Sequence, residues 1–184
     1  MSRFRGWARR NLWTIVALVV LGTASVVYAF AFDWREYQER TPTQPVDVPR
    51  GEEGTLGAAT FAVEGIVYLE GDSDEGRRYG VAEGTDVLIA DVRVTPDPAG
   101  TEDDYVICDI YLHAPSPDGE REWWGSTSNP TSYPGDDMNP FSCQMGYGPE
   151  YVIQLYYTVP AGGAVGGYLQ VTSPEELPRA LRLY

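Results

Sequence analysis

Residues 12–32 (LWTIVALVVLGTASVVYAFAF) run for 21 positions without a charge. Wound as an α-helix at about 1.5 Å per residue, such a run spans roughly 30 Å, the thickness of a bilayer's hydrocarbon core. Trp7 and Trp13 flank one end and Tyr28, Phe30 and Trp34 the other, where aromatic rings favour the headgroup level. Arg3, Arg5, Arg9 and Arg10 precede the run with no acid among them, whereas Asp33, Arg35, Glu36, Glu39 and Arg40 follow it as a mixture. The positive-inside rule then places a basic tail, residues 1–11, in the cytoplasm. Residues 12–32 become a signal-anchor helix in the lipid bilayer, and everything beyond lies outside the cell membrane. A second reading is a cleaved export signal. Ala29-Phe30-Ala31 offers a small-x-small site with cleavage after Ala31, and Arg9-Arg10-Asn11-Leu12-Trp13 resembles a twin-arginine signal. The length of the run and its aromatic end favour the uncleaved anchor, and both readings deliver the same domain to the same compartment. No cysteine stands at the end of the run, so a lipid-modified N-terminus is excluded.

Charge sorts the possible partners. All 13 basic residues are arginine and none is lysine; beyond residue 32, nine arginines face 27 carboxylates, a net −18. Such a surface repels nucleic acid, which leaves an envelope protein or a cell-wall glycan as the expected partner.

Residues 33–54 carry Pro42, Pro45 and Pro49 with Gly51 and Gly54. That spacing denies helix and reads as an extended, semi-rigid tether without a core of its own. From residue 55 to 184 the period is two. Asp86–Thr95 (DVLIADVRVT) puts Leu88, Ala90, Val92 and Val94 on one face and Asp91, Arg93 and Thr95 on the other. Tyr105–His113 places Val106, Cys108, Ile110 and Leu112 inward, and Glu150–Val159 does the same with Tyr151, Ile153, Leu155, Tyr157 and Val159. Thr60–Glu70, Tyr168–Thr172 and Arg179–Tyr184 are further strand candidates. Asp118-Gly119 predicts a hairpin folding Cys108–Ala114 against Glu120–Trp124. No helical stripe of useful length occurs here. Six to eight short strands with turns between them predict an all-β domain of two packed antiparallel sheets. Gly125–Gly148 reads as a long ordered loop packed on its aromatics.

The chemistry-bearing residues are few. Cys108 and Cys143 both fall in the exported part, where an oxidising compartment predicts a disulfide. Closing a loop of that length contributes about 3–4 kcal/mol on the chain-entropy account. His113 is the single histidine and falls on the face opposite Cys108, so a Cys–His pair is not expected. One histidine with two bridged cysteines cannot furnish a usual zinc set. Serine-hydrolase, zinc-protease and P-loop motifs are missing, and without lysine no Schiff base or Ser–Lys dyad can form. No cofactor and no enzyme activity are therefore expected; a carboxylate-pair hydrolase stays formally open and requires two acids facing one cleft. Gly71-Asp72-Ser73-Asp74-Glu75-Gly76 supplies alternate carboxylates that calcium favours, but the twelfth-position glutamate is missing, and solvated loops are the expected state of this run and of Glu102–Asp104 and Asp136-Asp137. The aromatics lead further. Trp123 and Trp124 are adjacent on a predicted strand, so one should face the core and the other solvent. An outward tryptophan could stack on a sugar or anchor a partner.

The succession of signal anchor, proline-rich tether, Asp86–Thr95, Tyr105–Leu112 with a later cysteine, and Glu150–Pro160 (EYVIQLYYTVP) resembles the Ig-like, telokin-like extracytoplasmic domains. These occur in lipoproteins and single-pass membrane proteins of Gram-positive bacteria, and arginine in place of lysine is associated with high-GC actinobacteria. The resemblance covers residues 55–184 and implies an Ig-like antiparallel β-sandwich. It brings no functional residue with it, and this chain lacks the lipid-attachment cysteine that many of those proteins carry.

Overall fold

A computed structural model describes residues 11–101, 106–115, 121–134, 143–146 and 148–184; of residues 15, 38, 39, 115 and 121–123 it describes the backbone alone. The chain divides into two compact units at Thr41/Pro42.

The first unit is one helix, α1 (Leu12–Arg40). Leu12–Tyr37 is long and apolar enough to cross a membrane, a test that an N-terminal signal sequence also passes. The helix does not stop with the apolar run at Phe32. Trp34–Arg40, read from sequence as the start of the tether, continues it. Trp34 stacks on Phe30 at 6.4 Å and on Tyr37 at 5.9 Å, and Glu36 pairs with Arg40 at 3.2 Å. These are the i,i+3 and i,i+4 contacts that only a helix makes. Termination comes at Thr41, which is extended (φ −116°, ψ 138°) because the ring of Pro42 disfavours helix in the residue before it.

The second unit is a β-sandwich. One sheet has the strand order β1 (Gln44–Val48), β10 (Arg179–Leu183), β9 (Tyr168–Thr172), β5 (Val106–Pro115), β6 (Arg121–Trp124), with β7 (Cys143–Met145) also paired to β5. The other runs β2 (Gly54–Leu56), β3 (Ala59–Glu70), β4 (Thr85–Pro96), β8 (Tyr151–Pro160). Every pairing is antiparallel except β1 with β10, which is parallel. The all-antiparallel expectation is corrected on that point.

The tether is corrected as well. Gln44–Val48 lies in register with Arg179–Leu183, and Val48 is buried in the core. Only Thr41–Thr43 separates α1 from the sheet. Proline misled the reading: Gln44 N donates to Pro178 O and Val48 O accepts from Tyr184 N. Residues 44 and 48 thus turn their backbone toward β10, and by alternation Pro45 turns its missing N–H away from the ladder. An edge strand tolerates proline at that position.

The alternating faces meet in one core. Phe61, Ala90, Val92, Leu112, Ile153, Tyr157, Val171, Leu181 and Leu183 belong to a single buried cluster drawn from both sheets. Burial of each large side chain contributes about 1.5–3 kcal/mol, offset by the entropy of ordering the chain. Beyond Phe61, β3 has no β2 partner on its outer side. A bulge between Val63 and Gly65 with Glu64 exposed falls there, the devices that keep free edges from pairing.

A second, smaller cluster (Leu69, Val81, Val87, Ile89, Tyr156) lies apart from the main core. It packs with Tyr79 at the end of a short helix, α2 (Asp74–Tyr79), and with Tyr133, whose ring meets Tyr79 edge-on at 5.0 Å. The acidic stretch at Gly71–Gly76 is therefore a helix start rather than a loop. Ser73 Oγ caps Gly76 N at 2.9 Å, Asp74 and Glu75 occupy the first turn, and Asp74 pairs with Arg77 at 2.6 Å. Carboxylates in that turn complement the positive end of the helix dipole. Among the described residues, no three histidine, cysteine or carboxylate groups are placed to hold a metal ion.

Candidate functional site

Strand β5 gathers the residues singled out from sequence. Cys108 stands opposite Cys143 on β7 and is bonded to it, with Cα atoms 4.9 Å apart. Leu112 stands opposite Trp124 and His113 opposite Trp123 on β6. The β5–β6 pairing is the expected hairpin; its turn, Asp118-Gly119, lies outside the described residues, as do Glu102–Asp104 and Asp136-Asp137.

The two partners of β5 occupy different stretches of it. β7 takes Val106–Cys108 and β6 takes Leu112–Pro115. Between those two stretches run Asp109, Ile110 and Tyr111, which stand opposite Thr172, Val171 and Gln170 of β9 on the other side. The chain leaves β6 at Trp124, passes through Gly125 and Ser126, and bridges at Thr127 to Tyr156 of the other sheet, Thr127 N donating to Tyr156 O at 2.8 Å. This departure leaves a cavity of about 220 Å³, lined by Cys108, Asp109, Ile110, Tyr111, Gly125 and Ser126, with Cys143, Ile153 and Leu155 completing the wall. The lining joins Ile110, Ile153, Leu155 and the disulfide cysteines to the polar residues Asp109, Tyr111 and Ser126.

Tyr157 braces this stretch of β5. Fully buried on β8, it reaches across the sandwich to donate its hydroxyl to Ile110 O at 3.0 Å. A hydroxyl from one sheet thus serves a buried carbonyl of the other, which requires a partner. Burial drives the Tyr157 phenol well above its ordinary pKa, since a phenolate there would lack water. Tyr111 is raised too, by burial first and then by the Asp109 charge.

Trp124 is half-buried and packs against the core cluster. The side chain of Trp123 lies outside the described residues; its backbone is in register with His113. His113 stacks face to face on Tyr168 at 5.3 Å, and the Arg182 guanidinium stands over the same Tyr168 ring at 5.2 Å. Tyr184 packs on Tyr168 at 5.5 Å. This row of β5, β9 and β10 residues went unread in the sequence, although the period-two pattern that puts Leu112 inward puts His113 outward.

Two polar constellations on β4 were also missed. Asp86 is 3% exposed, and its carboxylate accepts from Gly71 N at 3.2 Å, from Gly162 N at 2.6 Å and from the Tyr68 hydroxyl. The knot ties two turns to β3 and β4, and burial followed by the Asp86 hydrogen bond and charge pushes the Tyr68 phenol up. Gly71 is required there: a Cβ would collide with the carbonyl oxygens of Ala82 and Thr85. At the other end of β4, Arg93 meets Glu53 at 2.7 Å, Glu64 at 3.0 Å and Glu150 at 3.6 Å. Its guanidinium is held further toward the charged form, first by the hydrogen bond to Glu53. All three carboxylates are exposed and each is paired with the arginine.

No family model and no curated protein sequence matches the chain. Among solved structures it is similar to a functionally unknown protein from Listeria monocytogenes EGD-e (11% identity, TM-score 0.37, 67% of this chain and 69% of that one). It is also similar to an uncharacterised β-sandwich protein from Clostridium difficile 630 (8% identity, TM-score 0.40, 77% of this chain and 95% of that one).

Proposed function

We propose that the chain is a membrane-anchored, non-catalytic binding module of the bacterial cell envelope. Its sandwich is held on the outer side by α1 and docks another envelope protein. The observation that supports the reading best is the break along β5. Between the stretches of β5 taken by β7 and by β6 lies a cavity where apolar residues of both sheets meet Asp109, Tyr111 and Ser126. A recess at an interruption of a sheet, joining apolar and polar residues, is the kind of surface that takes a partner's segment. The acidic charge of the domain disfavours nucleic acid and anionic lipid as the occupant.

The test has two parts. Reporter fusions at Tyr184 and a carbonate wash of membranes report topology and anchoring; Tyr184 in the cytosol removes the reading altogether. Affinity capture from membranes with the full chain is then compared with a chain ending after Thr43. A partner enriched only by the full chain, and lost on Asp109→Arg, supports docking at β5; no enrichment counts against it.

A second reading, a glycan-binding module, is favoured by the placement of Trp123 and Trp124 on the strand that borders the same cavity. Trp124 packs on the core, so Trp123→Ala is the discriminating change. Cell-wall sedimentation unaffected by it ends the glycan reading. The cleaved-signal alternative is settled by intact mass: loss of residues 1–31 replaces the anchor with a released domain.

A further inference from the structure

We infer that the cavity between β6 and β7 is a socket for a partner's extended segment that carries an apolar side chain with an arginine or lysine two positions away. The inference deepens the docking reading above and rests on it. Size comes first. A volume of about 220 Å³ lies below the roughly 300–1,000 Å³ of pockets that enclose a whole small molecule. It suits one side chain of a longer segment. The lining then sets the character of that side chain. Cys108, Ile110, Cys143, Ile153 and Leu155 are buried, whereas Asp109, Gly125 and Ser126 are exposed. The recess thus passes from an exposed rim to an apolar floor drawn from both sheets. An apolar group gains by entering, while a charged tip would be stranded there without water.

The rim sets the second requirement. Asp109 has no hydrogen bond or ion pair among the described residues, whereas Arg77, Arg93, Arg179 and Arg182 are each engaged by a carboxylate elsewhere. The chain beyond residue 32 carries a net −18, a field that draws in basic segments and turns acidic ones away. In an extended segment, side chains two positions apart share a face. One can therefore fill the recess while the other meets Asp109. The socket is also built before a segment arrives. The disulfide ties β7 to β5, the Tyr157 hydroxyl holds Ile110 O at 3.0 Å, and Thr127 N holds Tyr156 O at 2.8 Å just beyond Ser126. Little ordering cost then falls on binding.

The test takes the full chain in nonionic detergent micelles, with its disulfide formed, and four end-blocked peptides. Leu-Ser-Arg carries both groups, and Leu-Ser-citrulline replaces arginine with its neutral isostere. Gly-Ser-Arg removes the anchor, and Leu-Ser-Glu reverses the charge. Amide NMR shifts of Asp109–Tyr111, Gly125 and Ser126 follow binding. Leu-Ser-Arg should saturate those shifts, citrulline or glycine replacement should each weaken it by roughly five- to tenfold, and Leu-Ser-Glu should not bind. Asp109→Asn should erase the preference for arginine over citrulline, and Asp72→Asn, at an exposed acid beside α2, should keep it. Shifts that do not saturate, equal binding of the arginine and citrulline peptides, or a preference that survives Asp109→Asn each overturn the socket. The wild-type peptide series decides even if a variant fails to fold. Capture of an envelope protein by a chain that shows no peptide selectivity overturns the socket and leaves the docking reading standing. Selective peptide binding with no envelope protein captured puts the fault in the docking reading instead.

Discussion

Asp86 and Arg93 lie on the same strand, near opposite ends of β4, and hold their partners in opposite ways. Asp86 is buried, on the face that continues into the sandwich interior, and two of its three donors are backbone amides. Arg93 is half-buried on the outer face and its partners are carboxylates on flexible side chains with solvent beside them. A buried carboxylate with fixed donors contributes because leaving those donors unmade is expensive. An exposed ion network contributes little, because water and salt substitute for every partner. The difference teaches that charge count is a poor guide to what holds this acidic domain together; one enclosed acid outweighs a visible cluster of four charges.

The sharpest way to break that contrast is Asp86→Ala. It orphans the amides of Gly71 and Gly162 and should cost about 2–4 kcal/mol of unfolding free energy, measured by urea denaturation. Asp86→Asn, which keeps one acceptor, should lose less. A loss no larger than that of a surface substitution would remove the knot from the account. Gly71→Ala comes next. The carbonyls of Ala82 and Thr85 cannot yield to a methyl group, so overpacking should cost roughly 1–3 kcal/mol; a neutral result would mean that the turn relaxes freely.

Alkaline titration sharpens the comparison further. An unfolded tyrosine loses its proton near pH 10, whereas Tyr68 and Tyr157 hold theirs to higher pH in the folded protein. Above about pH 10 the unfolded state therefore binds fewer protons than the native one, and stability falls as pH rises. That contribution is present in full below the unfolded value and is lost on the climb through the folded values. Tyr68→Phe should flatten part of the alkaline limb and cost about 1–2 kcal/mol at neutral pH through its bond to a charged group. An unchanged slope would mean that the phenol is not held by Asp86. The smallest effect belongs to Arg93→Met, which should leave the denaturation midpoint nearly unchanged at 0.5 M salt, on the order of a 4 Å screening length. A large loss at that salt would show the cluster to be more than solvated charge.

Much of the sandwich was legible because period two is written plainly wherever one face is buried. β4, β5 and β8 were each visible as alternation, β9 as a shorter strand candidate, and the disulfide was expected from the placement of both cysteines beyond the apolar run. β1 was not, since Pro45 argues against a strand until the neighbour is known to lie on one side only. α2 escaped because six residues carry no stripe; its cap, Ser73, was read as part of an acidic loop. The Asp86 knot needs Gly71 and Gly162, which lie in different turns and meet only in the folded chain. One signal was available and unused. Val87 and Ile89, apolar on the supposedly solvated face of β4, mark a stretch buried on both faces and hence a cover such as α2 and Tyr133. At the candidate site, sequence placed Cys108 inward and paired it with Cys143, but did not say which of Trp123 and Trp124 packs on the core. The gap between β6 and β7 depends on where the chain departs at Gly125, which no local pattern encodes.

The incorporation of Gln44–Val48 into the sheet bears on how this domain could ever be shed. A protease cutting downstream of β1 would strip an outermost strand and bare the flank of β10, inviting a foreign segment to adhere. A cut after Ala31 would spare the strand yet leave a helical stub bearing Trp34 and Tyr37. Thr41–Thr43 is the one stretch whose scission frees the sandwich whole, and its three residues leave an enzyme little room to grip.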